Sequence, residues 1–200
     1  MKKVIYNFIL LILITFVSLT IILSTTGIKT KRFNNLIAKK INHLNNSINL
    51  KLTTIKFKLD LKELSLFLEA IDPKIYYQNS VIPAKNIKAY IDFISLVKSK
   101  PKLKKINLIL SQFDVEKLKK ISSNFKPSNF TSFINNRIKQ GKLNIELEVF
   151  LDDKNLFDNF IARGSVLNLE TEIKNNINLK KTNFNFFADK SDILITNIVG

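Results

Sequence analysis

The chain has no cysteine, one histidine, three arginines, four glycines and four prolines in 200 residues. Without cysteine it has no disulfide and no thiolate for catalysis or metal binding, a condition compatible with either side of a bacterial inner membrane. His43, in a helical pattern and with no cysteine or carboxylate cluster beside it, reads as a solvated helix residue and not as a metal ligand. The scarcity of glycine and proline excludes a linker-rich or low-complexity chain, and 46% hydrophobic content supports a folded body. Catalytic patterns are also missing. There is no G-x-S-x-G, no glycine-rich phosphate loop, no H-E-x-x-H and no Cys/His pair. The densest acids are Asp152-Asp153 and the pair Glu146 and Glu148. The latter stand two residues apart on the polar side of an alternating strand, which is ordinary surface patterning. The chain therefore reads as a non-enzyme that needs no cofactor.

Acidic residues are absent from the first 59 positions, where ten lysines and arginines stand; Asp60 is the first acid. Ten of the net +16 charges thus belong to this segment, and the remaining 22 bases face all 16 acids. A charge of this size invites a nucleic-acid reading. The basic surplus is lysine, however, with only Arg32, Arg137 and Arg163 to supply the bidentate forks that read phosphates and base edges. Lys, Asn and Ile, all favoured by AT-rich coding, are abundant together. Concentration near the N-terminus suits anionic lipid headgroups better than a nucleic-acid groove.

What the N-terminus does have is a long apolar run. Val4 to Ser24, VIYNFILLILITFVSLTIILS, holds no charge. As a helix it spans about 30 Å, the hydrocarbon thickness of a bilayer. A cleaved signal sequence has a shorter apolar core and a small-residue exit of the A-x-A kind. Here the exit Leu23-Ser24-Thr25-Thr26-Gly27 has no alanine. Residues 1–29 therefore read as an uncleaved transmembrane anchor with its flanks.

Residues 30–47 form a second unit. Phe33, Leu36, Ile37, Ile41 and Leu44 recur at helical spacing, with Lys31, Arg32, Lys39 and Lys40 mostly opposite. This is a basic amphipathic helix. It lies on the membrane surface, with those four cations on headgroups, or caps the open end of the following sheet, and the two roles are compatible.

From Ile48 the period changes to two. Ile48, Leu50 and Leu52 alternate, and Ile55, Phe57, Leu59 and Leu61 resume in the other phase, so Thr53-Thr54 marks a bulge or register break. Further strands are expected at 64–68, at Lys74–Gln78 after an Asp72-Pro73 turn, at 87–93 after Pro83, and at Leu103–Ser111. Two short helices are expected at Val115–Ser123 and Ser128–Gln140, the second ended by Gly141. The cleanest strand follows: Leu143, Ile145, Leu147, Val149 and Leu151 on one face, Lys142, Asn144, Glu146 and Glu148 on the other. Asp152–Asn159 reads as a loop or short helix. Strands resume at Phe160–Ile173, with Leu167, Leu169, Thr171 and Ile173 in phase, and end in a hairpin of Ile177–Ala188 with Asp192–Val199. The chain stops inside a strand, so we expect it to be the first part of a longer protein. The fold class is mainly β with α: an anchor, an amphipathic helix, then an antiparallel, curved β-meander over residues 48–200. Helix content is too low to cover a sheet with one apolar face. The meander then forms an open, taco-like groove and not a closed barrel.

The run SINLKLTTIKFKLDLKELSLFLEAIDPKIYYQNSVIPAKNIKAYIDFISLVKSKPKLKKINLILSQFDVEKL resembles the N-terminal part of the AsmA-like family of bridge-like lipid transfer proteins. The resemblance rests on an anchor followed by alternating strands up to Ile71-Asp72-Pro73. An alternating strand then enters a leucine-containing connector (Ile87 to Leu96, Val97 to Pro101), and a strand of the form K-I-x-L-x-L follows (Lys105 to Leu110). GSVLNLETEI and ADKSDILITNIVG are similar to its repeating strand pairs. The resemblance implies an inner-membrane-anchored protein with its body in the periplasm. Such a protein carries phospholipid along a hydrophobic groove toward the outer membrane, supports envelope integrity and has no catalytic residues. The groove lining would be Leu143, Ile145, Leu147, Val149 and Leu151, unless these form an ordinary packed core. The flanking lysines taken alone favour a cytoplasmic body. We follow the resemblance, because a large domain can be translocated despite its charge. The alternative function is a membrane-tethered structural or assembly factor that binds envelope protein partners and carries no lipid.

Overall fold

The computed structural model describes every residue except 1, 32, 33, 36, 40–46, 64, 79, 93, 94, 96, 97, 99–101, 153, 155, 175 and 176. It opens with helix α1 (Lys2–Ser24). From Lys3 this helix has a mean hydropathy of 2.5 and none of its length is buried, so it is long and apolar enough to cross a membrane. Its hydroxyls are turned inward on their own backbone. Thr15 donates to Leu11 O at 2.8 Å and Thr20 to Phe16 O at 2.9 Å, which removes the cost of an unpaired hydroxyl in hydrocarbon. Thr25 and Thr26 donate to the last-turn carbonyls of Ile21 and Ile22. Gly27 ends the helix at φ +71° and donates its amide to Ile22 O at 2.8 Å.

The chain then enters a sheet without a linker. Strand β1 (Ile28–Thr30) pairs with β3 (Ile55–Asp60), an attachment that sequence periodicity missed because three residues carry too little pattern. Gly27 is wedged against this pair. A Cβ there would lie 2.9 Å from Phe57 O and 2.6 Å from Lys58 Cγ. The other strands are β2 (Ile48–Lys51), β4 (Ser65–Ile71), β5 (Lys74–Tyr77), β6 (Ser80–Ile91), β7 (Leu103–Leu110), β8 (Phe113–Asp114), β9 (Ile138–Leu151), β10 (Phe157–Lys174), β11 (Ile177–Asp189) and β12 (Ile193–Val199). They form one open antiparallel sheet ordered β1-β3-β4-β6-β7-β9-β10-β11-β12. β2 and β5 branch from the start of β6, and β8 pairs with β9. The sheet is a meander that does not close into a barrel.

Helices α2 (Val115–Ser122) and α3 (Asn129–Arg137) pack on β9, with α2 also touching β6 and α3 touching β10. Asp114 caps α2, and Ser128 and Thr131 form a capping box on α3, which supplies the orphan amides of each first turn. The main core lies in the N-terminal half. Ile55, Leu68, Ala70 and Ile91 form one cluster, and Leu50, Ile75 and Ala84 a second. Ile37 and Leu52 pack on both.

Several expectations change. The Thr53-Thr54 break separates two strands with different partners, β2 on β5 and β3 between β1 and β4. β3 ends at Asp60, whose carboxylate accepts from the amides of Lys62 and Glu63, so Leu61 is an exposed turn residue and not a strand residue. Pro83 lies inside one twelve-residue strand, where its carbonyl accepts from Ser111 N. The second helix stops at Arg137, not Gln140. Ile138 pairs with Thr171, and Gly141 lies within β9, because cross-strand pairing overrides local helix preference. β10 starts at Phe157, three residues earlier than the periodicity indicates, opposite Leu151.

The expected helix of residues 30–47 is only partly described. Residues 34, 35 and 37–39 are helical, while Arg32, Phe33, Leu36, Lys40, Ile41, His43 and Leu44 lie outside the described residues. Lys31 and Lys39 are exposed. Ile37 packs on the sheet, and Asn34 donates to Leu52 O and Thr53 O at 3.0 Å. These contacts match the capping alternative. Ile55 is 1% exposed at the centre of this core. Ile55→Ala is expected to lower stability by about 2–5 kcal/mol, read as a fall in the urea midpoint of the detergent-solubilised chain with an unchanged slope.

Candidate functional site

Antiparallel register sorts the side chains of this sheet into two faces. One row crosses all nine strands of the main path: Thr30, Ile55, Ala70, Ile87, Leu108, Leu147, Ala162, Ala188 and Ile193. Only Thr30 carries a polar group. Beside it runs a second apolar row, Ile28, Phe57, Leu68, Ala89, Ile106, Val149 and Phe160. On the other side, Ile145, Gly164, Phe186 and Ile195 continue it.

The residues singled out from sequence, Leu143, Ile145, Leu147, Val149 and Leu151, all lie on this face and all are partly exposed. They form its middle and not its floor. Leu143 stands opposite Phe113, which is buried under the α2–α3 end of the sheet. The row is buried at Ile55 and Ala70, half-buried at Ile87, Leu108 and Leu147, and open at its end, with the small Ala162 covered by its neighbours. Ile55 is 1% exposed, Ala162 7% and Ile193 74%. In β12, Ile195 and Val199 are also exposed.

Sequence reading missed the β10 members of the face. It placed Leu167, Leu169, Thr171 and Ile173 in phase, whereas Ala162, Gly164 and Val166 carry the row. The small residues hide the alternation, and a bulge at Asn168, in the left-handed region at φ +51°, resets the phase. Lys181 and Asn197 adopt similar conformations in β11 and β12, so bulges bend three adjacent strands. Gly164 has no room for a side chain. A Cβ there would fall on Asn144 O and lie 2.9 Å from Phe186 Cζ. Phe186 thus occupies the space above the glycine.

The opposite face is polar. Its central row reads Lys29, Lys56, Glu69, Lys88, Asn107, Glu148, Ile161 and Asp189. Glu148 pairs with Arg163 at 3.1 Å, and Asn107 donates to Glu146 at 2.8 Å, so the two glutamates bind neighbouring strands together. An adjacent row places Lys58, Phe67, Tyr90, Lys105 and Phe150 in line. Phe67 and Tyr90 stack at 5.2 Å, with Lys88 over one ring and Lys105 over the other. Both rings are buried, so they offer no platform for a base. Burial, with Glu63, Asp60 and Glu148 nearby, pushes the Tyr90 phenol up to about 12. Of the four phenylalanines that alternation places on a buried face, Phe57, Phe184 and Phe186 lie on the apolar face and Phe93 lies outside the described residues.

Glu69 is 7% exposed. Burial raises its pKa, but the Asn86 amide at 2.9 Å and the Lys58 ammonium at 2.9 Å outweigh it and hold the carboxyl below its ordinary value of 4.5. No family model matches the chain, and no curated protein or solved structure is significantly similar to it.

Two measurements follow from this geometry. Leu147→Ala should cost under about 1.5 kcal/mol, well below Ile55→Ala in the same row, because a partly exposed leucine loses less buried area and leaves no closed cavity. Equal midpoint shifts would mean that both halves are packed alike. The depressed Glu69 carboxyl adds stability that is present above pH 4.5 and lost as pH falls through its lower folded value. Glu69→Gln should therefore be about 1–2 kcal/mol less stable than wild type at pH 7. The gap should close below pH 4 in unfolding curves taken across pH.

Proposed function

We propose that the chain is a membrane-anchored phospholipid carrier, held by an uncleaved α1, with its sheet in the periplasm and acyl chains lying along the apolar face. The nine-strand row from Thr30 to Ile193 carries this reading. It starts at the strand joined to α1 and runs out beyond Ile37, Leu52 and the β2–β5 branch, which cover its first strands. At about 4.8 Å per strand the row is roughly 38 Å long. An acyl chain is about 15 Å, half the hydrocarbon thickness, so the uncovered stretch from Leu147 to Ile193, roughly 14 Å over three strand spacings, matches one. The charged rows on the other face pair with one another and offer acyl chains no apolar surface. The role is passive: the protein substitutes a protein surface for hydrocarbon, with no covalent step and no cofactor. The resemblance to AsmA-like proteins supports the same direction, from inner toward outer membrane.

One observation favours the alternative, a structural or assembly factor. β12 is an uncharged edge strand, exposed along its whole length, and such an edge accepts a partner strand.

A photoreactive amino acid placed at Leu147 or Val149 of the full chain in cells decides between them. Phospholipid adducts at these sites, but not at Glu146 on the opposite face, are the expected result. Protein adducts alone, or equal lipid capture from both faces, would sink the carrier reading. Mass spectrometry of lipid co-purifying with the chain should show several-fold less phospholipid for Leu147→Asn than for wild type.

A further inference from the structure

The charge on the polar face is sorted along the strand order. From the α1 side its central row begins Lys29, Lys56, Glu69, Lys88 and ends Glu148, Ile161, Asp189. Lys29 and Lys56 are direct cross-strand partners at the sheet edge. Like charges placed so are destabilising, and sheets normally alternate sign there. Neither lysine has an ion-pair partner among the described residues. Glu69, beside Lys56, is committed to Lys58 and Asn86. The other nearby acids are Asp60, which caps the turn after β3, and Glu63, which is held by Lys105. Three lysines of β1 and β3 therefore face one buried glutamate. Lys29 stands five residues past Ser24, at most about 17 Å of chain, and the Lys58 side chain lies against Gly27 at the exit of α1.

We propose that this cationic end of the polar face, Lys29 and Lys56, docks on the anionic phospholipid headgroups of the bilayer that holds α1. The inference rests on the anchor reading of α1 and is independent of lipid carriage. Headgroup phosphates supply the counter-charge that the sheet omits. Their surface potential reaches about one Debye length, roughly 8–10 Å, beyond the membrane. Docking holds the β1 edge on the membrane, so that the apolar row starts at the lipid surface.

The test uses the full chain in nanodiscs of phosphatidylcholine alone or with phosphatidylglycerol. The wild-type sheet should melt about 4–8 °C higher in the anionic discs, from two lysines near a charged surface. That gap should vanish in 0.5 M salt and in the double variant Lys29→Gln/Lys56→Gln. In neutral discs the variant should melt no lower than wild type, since it relieves a like-charge pair; this separates lost docking from lost folding. A wild-type chain indifferent to lipid charge, a gap retained by the variant, or a gap reproduced by DNA added to neutral discs would overturn the proposal. Failure to enter either disc would overturn the anchor reading and the docking together, whereas entry without a gap would overturn the docking alone.

Discussion

The two-faced character of this molecule depends on cross-strand register. Side chains alternate with a period of two, so a slip of one residue would move a strand's whole set of side chains to the other face. The registry is fixed by unlike means at the two ends. Near α1, buried pairs such as Ile55–Ala70 and the Glu69–Lys58–Asn86 contacts hold it. Farther out, where burial is thin, it is held by Glu148–Arg163, Asn107–Glu146 and the close approach of Gly164 to Asn144. The polar face thus specifies the geometry that the apolar face then presents.

A sheet with one apolar face must bury it against helices, a second layer or lipid. This chain does so for only part of the sheet. Ile37, Leu52 and the β2–β5 branch close over β3, β4 and β6, and α2 and α3 close the end near Phe113 and Ile134. The rest of β9 through β12 has no such layer among the described residues. Hydrophobic burial there contributes less to folding, and the strands are long instead, eighteen residues in β10. β10 pairs along that length with β9 on one side and β11 on the other. A stable apolar surface that is left partly uncovered is the physical requirement for carrying acyl chains.

Much of this was legible in the sequence. The charge-free run from Val4 to Ser24 gave α1, and alternation gave most strands. It also gave the single face shared by Leu143, Ile145, Leu147, Val149 and Leu151. What was not legible has local causes. β1 is too short to show a period. Ala162 and Gly164 are too small to register as apolar members of a row. The αL bulge at Asn168 shifts the phase inside one strand, so the apolar residues of β10 after it do not report on those before it. The end of α3 was misplaced because Gly141 resembles a helix stop, whereas pairing of Ile138 with Thr171 decides the boundary.

The absence of any linker between α1 and β1 bears on the orientation question. Counting Lys29 and Lys31 as topological signals assumes that they sit on a loop whose only task is to stay on one side of the membrane. Lys29 instead occupies a fixed register position opposite Lys56, with Gly27 packed into β3 behind it. A lysine built into a sheet edge would be retained on either side of the membrane, so its weight in the positive-inside count falls. Lys2 and Lys3, at the other end of α1, sit on no such strand and keep theirs. Weighted in this way, the flanking charges no longer oppose a periplasmic body as strongly as their number suggests.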